Sequence, residues 1–432
     1  MSELKRYAQI LKEKLSGSDI TKYSYELSES EKTEFNLENG EFSLMRTVFG
    51  KSAGLSVFKG KKKGSSRGND LTEEGLAVLT EEASLSADSS VDDDCNDIAG
   101  CEGECSFKNG NGKPDMGTLF NRTKELLSEI RERYPKVLVM SAITSCDKTH
   151  TLYENSNGTS FTSDDINYSL MLEFAGNDGQ NTTGIFGSYV SFKDPDVRLI
   201  ELSEIDRDLK RAEDSLNTVS LADKFEGTVV FTPSCAMMFV YMTLENYISS
   251  GVVMDGTSLW KDRLGQKVAS DMLSVALDPE DSRLAQREFW TPDGFKSEKV
   301  SVIDKGVLSS FMLSLYASKK TGNAVTKNAG DNIIIAGGDR SAEDIIASVE
   351  RGLLVGGFSG GQPGANGEFS GVAKNSFYIE NGKIKGAVTE TMINGNLGDV
   401  LNNIVAVSRE QVCDGTMAAP YIAAKGIIIS GK

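Results

Sequence analysis

The stretch Lys22–Phe58, KYSYELSESEKTEFNLENGEFSLMRTVFGKSAGLSVF, decides the fold class. Tyr23, Tyr25 and Leu27 alternate with polar residues, the period of a strand with one buried face. Asn39-Gly40 supplies the two left-handed residues of a type I′ hairpin, and beyond it strands run through Met45, Val48, Leu55 and Val57. Upstream, residues 2–16 read as an amphipathic helix, with Ser2 as N-cap, Leu4, Tyr7, Leu11 and Leu15 on one face, and Gly17 as the stop. A helix followed by an antiparallel meander opens an α+β fold.

Residues 85–114 break this pattern, being rich in Ser, Asp, Gly and Asn with little to bury, so a mobile acidic insertion is expected there. A helix over 115–134 follows, with Leu119, Leu126, Leu127 and Ile130 inward, then strands at 136–146 and 166–175 and a charged helix over 199–218. From Gly227 the texture changes to short Gly-rich strands, which places a domain boundary near 222 and divides the chain into 1–222 and 223–432. The second domain is expected to be mainly antiparallel, with barrel-like sheets and helices near 233–250, 341–351 and 396–406. Ser341 with Asp344 forms a capping box, Gly352 is read as closing that helix, and Asp304-Lys305-Gly306 and Asn381-Gly382 mark hairpins.

Composition narrows the function classes. With 39% apolar and 25% charged residues the chain reads as globular, and a net charge of −17 argues against nucleic acid, which needs clustered cations. The basic cluster Lys59–Arg67 is short and Gly/Ser-rich, a solvated loop by composition. No run of 18 apolar residues suits a membrane helix, and Lys5, Lys12 and Lys14 among Glu3 and Glu13 leave no apolar leader core. A cytoplasmic protein with reduced thiols is the expectation. His150 is the single histidine, which leaves little of a multi-imidazole zinc site or a Ser-His-Asp triad to build.

Three constellations invite chemistry. Gly357-Phe358-Ser359-Gly360-Gly361 fits the G-x-S-x-G elbow after the strand Leu353–Val355, but Gln362-Pro363-Gly364-Ala365-Asn366-Gly367 cannot form the helix that motif requires, and no histidine follows. Such a loop instead allows close backbone approach of a ligand. Cys95, Cys101 and Cys105, with Cys146 and His150, offer a non-standard metal site, although their spacings are not those of a zinc knuckle. An EF-hand fails because Asp97 and Gly103 stand where its glycine and bidentate Glu belong. Thr232-Pro233 opens a helix whose Met237, Met238, Val240, Tyr241, Leu244 and Ile248 read as core packing.

From Gly227 to its end the chain resembles the TldD/PmbA family, the so-called modulators of DNA gyrase, and most of all the PmbA (TldE) branch. The resemblance rests on Gly256-Thr257-Ser258, Leu264–Ser270, Asp304–Leu308, Ser341–Val355, Gly367–Gly371, Ile379–Ile384, Asn394–Leu397 and Pro420–Gly431, and more loosely on Asn155–Gly158 and the first helix and hairpins. It implies a family in which the TldD-type subunit is a zinc metallopeptidase acting on unfolded or extended peptides, while the PmbA-type subunit pairs with it and lacks the His-Glu-x-x-x-His helix. Counting back from Gly256, that motif falls on Tyr241, Met242 and Asn246, with Glu245 left on the helix and Cys413 near the position of a cysteine ligand. Tyr and Asn are poor zinc ligands and Met242 carries no proton.

The resemblance therefore implies a non-catalytic subunit with no cofactor of its own, zinc held by a TldD-like partner, and an extended peptide lying along Gly360, Gly361, Gln362, Gly367, Phe369, Asn394 and Asn396. Two further classes stand beside it: a homodimeric peptide- or ligand-binding protein, and a hydrolase using metal at the cysteines and His150.

Overall fold

The computed structural model describes residues 3–16, 19–110 and 112–431. Ser2 and Gly17, read as the caps of the first helix, lie outside them. The first half runs α1 (Glu3–Leu15), β1 (Lys22–Glu38), β2 (Glu41–Lys59), β3 (Lys62–Gly68), α2 (Glu73–Ser89), β4 (Glu104–Asn109), α3 (Met116–Arg133), β5 (Val137–Asn155), β6 (Ser160–Gly176), β7 (Phe186–Phe192) and α4 (Ile205–Asp214). Its sheet has the order β3-β2-β1-β5-β6-β4, with β7 also paired to β6. Asn39 and Gly40 have φ of 52° and 75°, the hairpin geometry that the dipeptide predicts. Leu4, Leu11, Tyr25, Leu27, Leu55 and Leu76 form one core on this sheet, while Leu119, Leu126, Ile130, Leu170, Phe174 and Leu209 form another around α3 and α4.

The second half runs β8 (Thr218–Val219), β9 (Lys224–Phe231), α5 (Pro233–Ile248), α6 (Ser250–Met254), β10 (Val275–Leu277), β11 (Val300–Asp304), β12 (Val307–Leu308), α7 (Leu315–Thr321), β13 (Ile333–Ile335), α8 (Ala342–Ala347), β14 (Arg351–Val355), β15 (Gly357–Gly360), β16 (Glu368–Lys374), β17 (Ser376–Glu380), β18 (Lys383–Val388), β19 (Met392–Asn396), α9 (Leu397–Asn402), β20 (Ile404–Cys413) and β21 (Ala418–Ser430). Four strands, β9, β13, β19 and β20, hydrogen-bond to β21, so this long apolar strand organises the sheet. Helix α5 lies against it, and Phe231, Phe239, Leu244, Tyr247, Ile393, Ile422 and Ile427 share one core. The α+β architecture, a helix and antiparallel sheet followed by a mainly β half with few helices, is as the sequence reads.

Three local expectations are corrected. Residues 85–114 are not featureless: α2 extends to Ser89, Glu104–Asn109 pairs parallel to β6, and Ile98 and Ala99 are buried. Their acids find partners far along the chain, Asp93 at Tyr316 and Lys320 of the second half and Asp97 at Lys319 of the second half and Lys22 of the first, so composition understated the available contacts. The charged helix of 199–218 is shorter, a 3-10 turn at Leu199–Glu201 and then Ile205–Asp214, because Ser203 takes φ of 53° between them. Gly352 does not close a helix. The Ser341-capped helix ends at Ala347, and Gly352 sits inside β14 where a Cβ would lie 1.8 Å from the Thr228 carbonyl of β9.

The two halves dock through mixed contacts. Phe107 stacks on Phe289 with centroids 4.8 Å apart, and Trp290 donates its indole N–H to Glu26 at 3.0 Å. On another part of the seam Tyr421 of β21 donates its hydroxyl hydrogen to Glu204 and accepts from Arg211 of α4 at 2.6 Å.

Candidate functional site

Pro at the first turn of α5 costs no hydrogen bond, since the first helical N–H groups have no partner within the helix. The residues facing the sheet, Phe239, Val240, Leu244 and Tyr247, are buried, whereas Tyr241 and Glu245, four apart, remain exposed. Partial desolvation raises the Tyr241 phenol pKa, as do the Glu245 and Asp331 carboxylates, and desolvation raises that of Glu245. The phenol is thus a neutral donor at pH 7. Asn246 spends its amide on the Gly364 carbonyl, at 3.3 Å.

A phenol held protonated, a thioether and an engaged amide do not form a zinc ligand set. Tyr241, Met242 and Asn246, on which the resemblance would put the zinc helix, therefore do not fit that metal. Cys413 stands at the end of β20, its Sγ 3.7 Å from the Arg283 carbonyl and accepting from the Gly415 N–H, with burial raising the thiol pKa.

The chain from 356 to 367 runs along this helix. The Thr232 N–H donates to the Val355 carbonyl at 3.0 Å, the Phe358 ring meets Phe239 edge-on at 5.3 Å, and Asn246 reaches Gly364. The Asn366 carbonyl then accepts from both the Tyr247 hydroxyl and Asn396 Nδ2, at 3.3 and 2.7 Å. Gly367 has φ of 85°, and a Cβ there would sit 1.9 Å from the Tyr247 oxygen, so the loop closes on the helix only with glycine. Strand β15 pairs with β16 alone among the described strands, leaving its other edge free, with Ser359 and Gly360 exposed.

Beside the loop lies a cavity of about 580 Å³ lined by Glu368, Phe369, Ser370, Asn394, Asn396, Asp399 and Lys425 among others. Of the sequence-assigned peptide residues it gathers Phe369, Asn394 and Asn396. Gly360, Gly361, Gln362 and Gly367 are not on its wall. The Phe369 ring is 4% exposed and packs on Phe239 and Phe358, a core position rather than a free ligand contact. Asn394 accepts from Ser370 at 2.5 Å.

Lys425 was missed. A signal existed, because Lys425-Gly426 interrupts an otherwise apolar closing strand, and the structure makes that pair a register break with Gly426 at φ 80°. Bulges of this kind commonly re-aim a side chain beside a site.

The alternative metal residues are not brought together. Among the described residues no group of three or more His, Cys, Asp or Glu is placed to hold an ion. Cys101 contacts the Gly158 carbonyl, Cys146 is buried in the core of α3 and β5, and His150 pairs with Asp164 at 2.7 Å.

Comparison with known proteins identifies the family and the fold. Residues 225–431 match the PmbA/TldA metallopeptidase C-terminal domain and residues 26–87 match PmbA/TldA metallopeptidase domain 1. A metalloprotease of Archaeoglobus fulgidus is 25% identical over 394 residues, covering 87% of this chain and 88% of its own. A metalloprotease PmbA homolog of Haemophilus influenzae is 24% identical over 424 residues, covering 93% and 87%. The crystal structure of TldE from Thermococcus kodakarensis superposes with a TM-score of 0.81 at 20% identity over 99% of this chain and 100% of that one, a likeness of fold.

Proposed function

Because this chain belongs to the PmbA/TldD metallopeptidase family, we propose that it is a non-catalytic, PmbA-type subunit that holds an extended peptide for a zinc-bearing TldD-like partner. The observation that supports the reading is the chemistry of the α5 residues on which the resemblance puts the zinc helix: Tyr241 a protonated phenol, Met242 a thioether packed against the core, and Asn246 an amide engaged by Gly364. The free edge of β15 supports the peptide role, since a partner strand added there gains main-chain hydrogen bonds without regard to sequence.

The test measures anisotropy of a labelled unfolded peptide on the purified chain. Peptides of unrelated sequence should compete for the same site at similar concentrations, as main-chain pairing requires, and strict dependence on one sequence would count against the added strand. The chain alone should leave casein intact, and cleavage should follow addition of a histidine-bearing relative. Cleavage by the lone chain that a chelator stops would sink the reading. Independently, Tyr241→His, Met242→Glu and Asn246→His together should create zinc affinity, and its absence would count against the position assignment.

A further inference from the structure

The cavity beside the glycine loop holds three charged side chains that do not pair with one another. Facing residues of an antiparallel ladder share one side of the sheet, and β16 faces β19 through Glu368 with Asn396 and Ser370 with Asn394. These four form a polar floor on the side opposite the buried Phe369 ring. Asp399 of α9 and Lys425, at the register break of β21, stand around it. Among the described residues the Lys425 ammonium and the Glu368 and Asp399 carboxylates make no hydrogen bond or ion pair, although all three line one cavity of about 580 Å³. The two amides differ. Asn396 is spent, its Nδ2 on the Asn366 carbonyl and its Oδ1 on the Gly398 N–H, whereas Asn394 uses only its oxygen, accepting from Ser370, and among the described residues keeps both amide N–H donors.

Opposite charges that line one cavity without touching are satisfied together by a ligand that carries both. We propose that this cavity binds a short peptide with both ends free, its α-carboxylate on the Lys425 ammonium and the Asn394 amide and its α-ammonium on the Glu368 and Asp399 carboxylates. At neutral pH both ends of such a peptide are ionised, and each contact is a charge-assisted hydrogen bond. The volume lies in the range of small-molecule sites. Charge excludes other ligand classes. Two carboxylates against one ammonium, in a chain of net charge −17, repel a phosphate or any polyanion, while a purely cationic ligand would leave Lys425 facing like charge. An internal stretch of a long polypeptide offers neither end and is not held here, so the ligand belongs to the product class of peptide hydrolysis. This site is independent of main-chain pairing at β15, which takes the middle of a longer segment on a different strand.

Isothermal titration calorimetry of the full chain with trialanine at pH 7 and low salt should give a dissociation constant of about 1 mM or tighter. N-acetyl-trialanine and trialanine amide should each bind at least about tenfold more weakly, since each loses one charge-assisted contact. Lys425→Met should abolish the discrimination between trialanine and its amide, and Glu368→Gln with Asp399→Asn should abolish that between trialanine and its acetylated form. Each variant should keep the other preference and the parent melting temperature. Trialanine should not displace the labelled unfolded peptide. No binding of trialanine, blocked ends that bind as well as free ones, or a Lys425→Met chain that still prefers the free carboxylate overturns the proposal. So does displacement of the long peptide, which would merge the two sites. Trialanine binding by a chain that does not bind the unfolded peptide upholds this site and removes the peptide role of β15.

Discussion

The first-half sheet and the second-half sheet are built on opposite plans. In the first, β1, β2, β5 and β6 each span 17 to 19 residues, and three of the four lie beside their neighbours in sequence. In the second, strands of three to eight residues, such as β10, β13 and β9, come from distant parts of the chain and gather at β21. Long continuous strands leave an extended edge at the rim, whereas short strands meeting at one centre leave a cavity and a glycine-rich loop.

The sharpest way to break that contrast is glycine substitution. In β14 a Cβ on Gly352 would lie 1.8 Å from the Thr228 carbonyl, backbone that cannot step aside, so Gly352→Ala should destabilise the second half by about 3 kcal/mol. In β2 a Cβ on Gly54 meets nothing nearer than Arg67 Cγ at 4.0 Å, so Gly54→Ala should be neutral or slightly stabilising through the unfolded chain. Urea melts of both variants check this, and equal losses would mean that the two sheets tolerate crowding alike.

The seam between the plans comes next. The Tyr421 hydroxyl satisfies Glu204 and Arg211 together, in a place where burial raises the Tyr421 and Asp208 pKa values. Tyr421→Phe leaves a buried carboxylate and guanidinium short of a partner and should cost about 2 kcal/mol. The loss should show as easier separation of the halves, seen in hydrogen exchange of α4 and β21, and uniform loosening of the whole chain would count against a local seam.

A third effect is pH dependent. Burial pushes Glu288 up from about 4.5 to about 7, against the Ala329 N–H that donates to it. Between those values the folded chain holds a proton that the unfolded chain has lost, so stability falls as pH rises through the window. Glu288→Gln should therefore match the parent near pH 4 and exceed it by about 1–2 kcal/mol at pH 8. A difference curve flat from pH 4 to 8 would remove Glu288 from the account.

Legibility followed the same division. Hairpins at Asn39-Gly40, Lys305-Gly306 and Asn381-Gly382 were readable because positive φ is written into the residue type, and all three take it. Amphipathic helices such as α3 were readable because one stripe is apolar. Gly352 was misread because a glycine required by a neighbouring strand looks, in sequence, like one that ends a helix. Lys425 and Asp399 were passed over as site residues because a cavity wall formed by several elements has no periodicity. The acidic stretch 85–114 looked featureless because its partners, Tyr316, Lys319 and Lys320, lie more than 200 residues away.

That stretch gives the smallest effect and the finest probe of the contrast. Asp97 is shared by Lys22 of the first half and Lys319 of α7, and these ion pairs hold its carboxyl below the ordinary range despite partial burial. The pairs are partly exposed, so salt screens them and side-chain entropy offsets much of their attraction. Lys319→Ala should lower the melting midpoint by about 1–2 °C at low salt and by nothing measurable in about 1 M salt. If the loss were large and salt-independent, the strap would be working as core packing through Ile98 and Ala99, and the acids would be incidental to how the two plans are joined.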